Sequence, residues 1–178
     1  MTPANLYPEG VRHIVLNMRS KDADEVFATQ WTDDREAFAA EVMKCGGFGY
    51  ILHADDGEPV VAGGAVPLWP GVWSVWMFAT DRFGEIAIAT HRFAKEVFFP
   101  VLNDVGYVRL ECRSMASHTT AHRWLESLGG RCESSVSNYG KAGEDFFLYC
   151  WTKTKVDAQS EGKEDVFPND SSIVRTTG

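Results

Sequence analysis

The chain has 178 residues, 44% of them hydrophobic, which suits one domain with a sizeable core. Its formal charge of -8 argues against a nucleic-acid-binding module. Its four cysteines are scattered without a C-x-x-C pair, no apolar run reaches the roughly 18–20 residues that span a bilayer, and no basic leader precedes an apolar stretch. These features point to a soluble, cytoplasmic protein with reduced thiols.

Residues 1–7 offer a weak edge strand. After Pro8, the residues Val11, Ile14, Val15 and Met18 repeat at helical spacing. A second short helix is expected over 22–29. A third, over 33–44, is started by an Asp33 or Asp34 cap and stopped by Gly46-Gly47. Two strands follow, 48–53 and 59–67, turning at Asp55-Asp56-Gly57. Residues 73–80 read as the central strand. Trp73, Val75, Met77 and Ala79 lie on one face and Trp76 and Phe78 on the other, so both faces are covered. Asp81 is the expected cap of the next helix, whose Phe83, Ile86, Thr90, Phe93 and Val97 form one stripe. Pro100 ends or kinks it.

Residues 107–113 alternate as a strand, with Val108, Leu110 and Cys112 on one face. Ser117 is the expected cap of a helix striped by Ala121, Trp124, Leu125 and Leu128, and Gly129 suits the left-handed position at its end. Two more strands, 131–139 and 144–151, are joined by the Gly140–Gly143 turn. The domain therefore covers 1–151. Residues 152–178 form a polar, mostly disordered tail in which only Val166-Phe167-Pro168 and Ile173-Val174 are candidates for docking.

His118 and His122 lie four apart on a helix, but no third ligand is evident, so a polar helix face is the better reading and no metal is expected. Met18-Arg19 with Asp22, Asp24 and Glu25 reads either as a recognition patch or as a cap with a solvated helix face. Glu111 alternates with Arg109 and Arg113, a pattern that a charged strand face explains.

The element order, ending in the pattern from Ala121 to Gly129, resembles the GCN5-related N-acetyltransferase (GNAT) fold. The segment Val15-Leu16-Asn17-Met18-Arg19-Ser20-Lys21-Asp22-Ala23-Asp24-Glu25-Val26 is similar to the opening of the GNAT-like internal virion protein A family of short-tailed phages, as are the strand end Trp76–Thr80 and Arg123-Trp124-Leu125. The resemblance implies an α+β fold. Its mixed, mostly antiparallel sheet of six to seven strands is splayed between strands four and five, with helices on both faces. It implies acetyl-CoA in the splay, held by Phe78, Thr80, Arg82, Gly84 and Ala87. An N-terminal helix end suits such an anion.

The loop Arg82-Phe83-Gly84-Glu85-Ile86-Ala87 departs from the family's Gln/Arg-x-x-Gly-x-Gly/Ala, its glycine coming one position early. Leu125 stands where many of these enzymes carry a proton-donating tyrosine, and the central strand has no carboxylate. The resemblance aligns His118 with an asparagine often seen near the start of that helix, and Glu111 is the nearest carboxylate, with Asp81 second, so His118 and Glu111 are the catalytic candidates. Two functions follow from the resemblance. One is an acetyl-CoA-dependent transferase acting on an amine acceptor. The other is a non-catalytic virion or host-interaction protein, in the host cytoplasm or the virion. A homo-oligomer is compatible with both.

Overall fold

The structure, a computed structural model, describes residues 1–153; the rest of the expected tail, from residue 154 on, lies outside the described residues. Strands β1 (Thr2–Asn5), β2 (Phe48–His53), β3 (Pro59–Trp69), β4 (Val72–Ala79), β5 (Arg109–Met115), β6 (Arg131–Val136) and β7 (Phe146–Thr152) form one sheet. Their order across it is β1-β2-β3-β4-β5-β7-β6, and only β4 and β5 pair in parallel. Helices α1 (Pro8–Leu16), α2 (Ser20–Phe27) and α3 (Arg35–Val42) come before β2. Helix α4 (Phe83–Phe93) runs through a π-helical turn (Ala94–Phe98) into α5 (Phe99–Asp104), and α6 (Thr119–Ser127) follows β5. None of these helices is long and apolar enough to cross a membrane, among the described residues.

The sheet opens where the sequence reading expects it to. β4 stays in register with β3 from Trp73 to Ala79, with a shift only at Pro67–Trp69 opposite its first residue, Val72. With β5 it pairs only at Val72, Trp73 and Ser74, against Arg109, Leu110 and Glu111. Beyond Ser74 the two strands diverge toward their C-terminal ends. Backbone direction alternates along a strand, so the peptide groups of Met77 face the gap, as those of Ala79 do.

The core lies on both faces of the sheet. One side packs Val11, Ile14, Val15 and Phe27 of the first helices against Ile51, Ala62 and Phe78. The other packs Leu102 and Leu125 against Leu110, Tyr149 and Trp151.

One helix start matches expectation and the others differ. Asp34 caps α3, accepting the Ala37 N–H at 3.1 Å. The cap of α2 is Arg19 and not Asp22, whose side chain is drawn instead to β4. Arg82, not Asp81, precedes α4, because Thr80 takes over the cap's work: its hydroxyl accepts from Arg82 N–H and its carbonyl from Phe83 N–H. His118, not Ser117, precedes α6. Pro100 does not end its helix; it falls in the first turn of α5, where no N–H is needed. The expected strand 131–139 stops at Val136, since Asn138 takes a left-handed φ of 53° and donates its N–H to Asp145.

Leu110 is fully buried and links β5 to α5 and α6. Leu110→Ala is expected to cost about 3 kcal/mol, read as a lower urea midpoint with unchanged slope.

Candidate active site

Helix α2 crosses the open end of the gap and touches both strand tips. Asp22 and Glu25, three apart, lie on one helix face. Asp22 Oδ2 accepts the N–H of Ala79, the last residue of β4, at 2.8 Å. Glu25 Oε2 accepts the N–H of Met115, the last residue of β5, at 2.8 Å, and the Ser114 hydroxyl at 2.9 Å. Arg19 completes the β4 side: its N–H reaches Ala79 carbonyl at 2.9 Å and its Nε lies 2.8 Å from Asp22. Its guanidinium covers the Phe83 ring at 4.5 Å.

His118 joins the two acids. Its Nδ1 is 3.0 Å from Glu25 Oε2 and its Nε2 is 3.8 Å from Asp22 Oδ1. A carboxylate can only accept, so Nδ1 carries the proton. Burial raises the Asp22 carboxyl above its ordinary range, outweighing Arg19, the Ala79 N–H and His118, all of which pull it down.

A cavity of about 460 Å³ passes through the gap, with Asp22, Glu25, His118, Trp76, Met77 and Phe78 among its lining. Cys112 also lines it, but burial pushes its thiol up to about 12, so it is no nucleophile at neutral pH. Among the residues of this lining, three buried side-chain atoms have no hydrogen-bond partner: Arg19 Nε, which pairs with Asp22 as an ion, Thr90 Oγ1 on α4 and Trp124 Nε1 on α6.

The residues singled out from the sequence separate. His118 and Phe78 line the cavity. Phe78 packs between Trp76 and Phe38 as well. Glu111 is not in the cavity lining; it is held on a charged strand face by Arg109 at 2.8 Å, with Arg113 at 3.8 Å. His122 packs on Tyr149, its Nε2 3.0 Å from Met115 carbonyl, whereas His118 Nδ1 meets Glu25.

The loop expected to hold pyrophosphate is closed by the protein's own groups. Arg82 Nε and Nη2 bond to Glu85, and Nη1 to Asp56 and Glu58, at 2.6–2.9 Å. These carboxylates raise the guanidinium pKa further. The Phe83 and Glu85 N–H groups point back to Thr80 and Arg82 carbonyls. A side chain at Gly84 would meet no other part of the protein. Ala87 lies half-buried within α4 and Thr80 is buried, its N–H bonded to Val60 carbonyl. Arg82, Gly84 and their neighbours therefore do not fit a pyrophosphate: the loop's own arginine is engaged by three carboxylates, and those acids repel an anion.

No family model and no curated protein matches the sequence. Solved structures do. A ribosomal-protein-alanine N-acetyltransferase from Brucella melitensis superposes with a TM-score of 0.68 at 11% identity, over 86% of this chain and 100% of that one. The ribosomal-protein-S18-alanine N-acetyltransferase from Escherichia coli gives 0.63 at 17% identity, over 85% and 92%. An acetyltransferase of the GNAT family from Bacillus anthracis gives 0.58 at 14% identity, over 84% and 93%. The chain has the GNAT fold. At these identities the likeness shows the architecture and leaves the chemistry to the residues.

Because the Asp22 value is raised, the folded protein takes up its proton before the unfolded chain does. The resulting stability is full below the unfolded value and is lost as pH rises through the folded one. Lowering the pH from neutral to the ordinary carboxylate range, about 4, is expected to stabilise the wild type relative to Asp22→Asn, measured by denaturant midpoints at each pH.

Proposed function

We propose that this GNAT-fold protein is an N-acyltransferase, moving an acyl group from a thioester in the β4–β5 gap to an amine. One observation carries the reading: the cavity through the gap is lined by a histidine whose Nδ1 is fixed by Glu25. The carboxylates of Asp22 and Glu25 attract a cationic amine to that end of the cavity. With Nδ1–H held, His118 Nε2 is the atom that removes the amine proton; as the nitrogen bonds the acyl carbon the C–S bond breaks, and the imidazolium returns its proton to the departing thiolate. Glu25 keeps the tautomer and steadies the imidazolium that forms, and Asp22 at 3.8 Å adds to this. Holding amine and thioester together supplies much of the rest, since well-oriented reactants gain about 7–11 kcal/mol in model systems. Acetyl-CoA is the donor suggested by analogy of fold. No step here depends on its nucleotide.

His118→Ala is expected to lower kcat for thiol release by about 10²- to 10⁴-fold, with little change in KM for the thioester. The assay follows free thiol with a panel of primary amines and peptide N-termini. Full kcat in the variant would remove His118 from the mechanism.

A second reading is favoured by the closed Arg82 loop. The chain then keeps the scaffold without the chemistry and serves as a phage virion or host-interaction protein. On that reading no thioester binds, even at millimolar concentration.

A further inference from the structure

The end of the sheet opposite the open gap, where β4 and β5 are still paired, is apolar and exposed. Eight large hydrophobic side chains are exposed among the described residues, and four of them, Leu68, Trp69, Val105 and Val108, stand at this end. Leu68 and Trp69 finish β3, and the chain turns back into β4 at Gly71, whose φ of 79° is left-handed. Val105 and Val108 belong to the passage from α5 into β5. The two segments are joined. The Gly71 carbonyl accepts the N–H of Val108 at 2.7 Å and that of Arg109 at 3.0 Å. The Val108 side chain lies over the turn, its Cγ2 3.1 Å from where a β-carbon on Gly71 would stand. Trp69 is 60% exposed. An indole and three aliphatic side chains gathered on a charged surface mark a contact site.

The course of the chain says what covers it. β7 ends at Thr152, and the Lys153 N–H bonds the Val108 carbonyl at 3.0 Å. The chain therefore leaves the sheet at this apolar end. The twelve residues 154–165 then lead to Val166-Phe167-Pro168. A linker of that length spans roughly 20 Å as a flexible coil, ample for a patch that begins one hydrogen bond from Lys153. Tethering sets an effective concentration on the order of millimolar, so a modest apolar contact is well populated. Phe167 supplies a ring for the Trp69 indole. Pro168 biases Phe167 toward extended backbone and so lessens the freedom lost on docking. Ile173-Val174 offers neither advantage. A second copy as occupant meets a net charge of -8 on each partner.

We infer that Val166-Phe167-Pro168 docks in cis on Leu68, Trp69 and Val108. β4 and β5 pair only over Val72–Ser74, so this cover shields the few bonds that join the two halves of the sheet. The inference is independent of whether the gap at the other end is catalytic.

The test uses the full chain with two readouts: hydrogen exchange of the Val108 and Arg109 amides, and trypsin cleavage after Lys163. Phe167→Asp is expected to speed both by about fivefold, the protection that a mostly docked segment confers. Trp69→Ala is expected to speed cleavage by the same factor, because one equilibrium governs both partners. The double variant is expected to go no further than either single one. Ile173→Asp should match the wild type, and no rate should change over an about tenfold range of protein concentration. Trp69 is exposed, and a melting curve for each variant separates undocking from unfolding.

Wild-type rates in Phe167→Asp overturn the inference, since the segment then lies elsewhere. Fast rates in Ile173→Asp with wild-type rates in Phe167→Asp overturn it in favour of the other apolar pair. Protection that grows with protein concentration, together with faster sedimentation, overturns it in favour of a second copy.

Discussion

Two carboxylates on one turn of α2 hold the working end of this molecule in shape. Asp22 receives the last N–H of β4, and Glu25 the last N–H of β5. Parallel neighbours normally satisfy such groups by bonding to each other. Here an acid takes the place of the missing strand on each side, so the strands stay apart at a separation set by the helix. An unpaired buried N–H costs about 1–3 kcal/mol, which is why an open sheet needs this substitution or a ligand. His118 ties the acids together and keeps two negative charges in one buried place tolerable.

The same arrangement explains how a site and its scaffold come to be one thing. Anything occupying the gap lies against groups already fixed by the bridge: an imidazole with an assigned tautomer, a strand edge with its peptide groups presented, and aromatic walls from Trp76 and Phe78. Catalysis by positioning needs fixed groups of this kind. By contrast, the loop before α4 has been drawn into the fold, with Arg82 joining the β2–β3 turn to the helix. Fold and cofactor contacts have parted company along this chain.

The architecture could be read from the sequence because its signals are local. Alternation in 73–80 and 107–113, the glycine after α6 and the apolar stripes each arise within a few neighbouring residues. Boundaries were harder, and for a consistent reason: Asp22, Asp81 and Ser117 have the chemistry of caps, but tertiary partners or competing neighbours took the role. The site was partly visible. His118 follows from the resemblance, and the acids of α2 read as a patch. Their true task, one acid per strand tip, is a long-range pairing that spacing cannot reveal. Thr90 and Trp124 read only as core stripe residues, because an unpaired polar atom is a property of the surroundings. Arg82 looked like a phosphate ligand because Asp56 and Glu58, more than twenty residues earlier, were not seen to converge on it.

The π-helical turn at Ala94–Phe98 has a consequence for everything beyond it. It works as a phase shifter: one surplus residue in a turn rotates the following segment by about 100° relative to an unbroken α-helix. With that rotation, Phe98 meets Phe48 on the sheet while Phe99 meets Trp151. Two consecutive aromatics are thereby aimed at opposite sides of the β4–β5 opening. The single irregular turn in the crossover is what lets one helix roof a sheet that is itself divided.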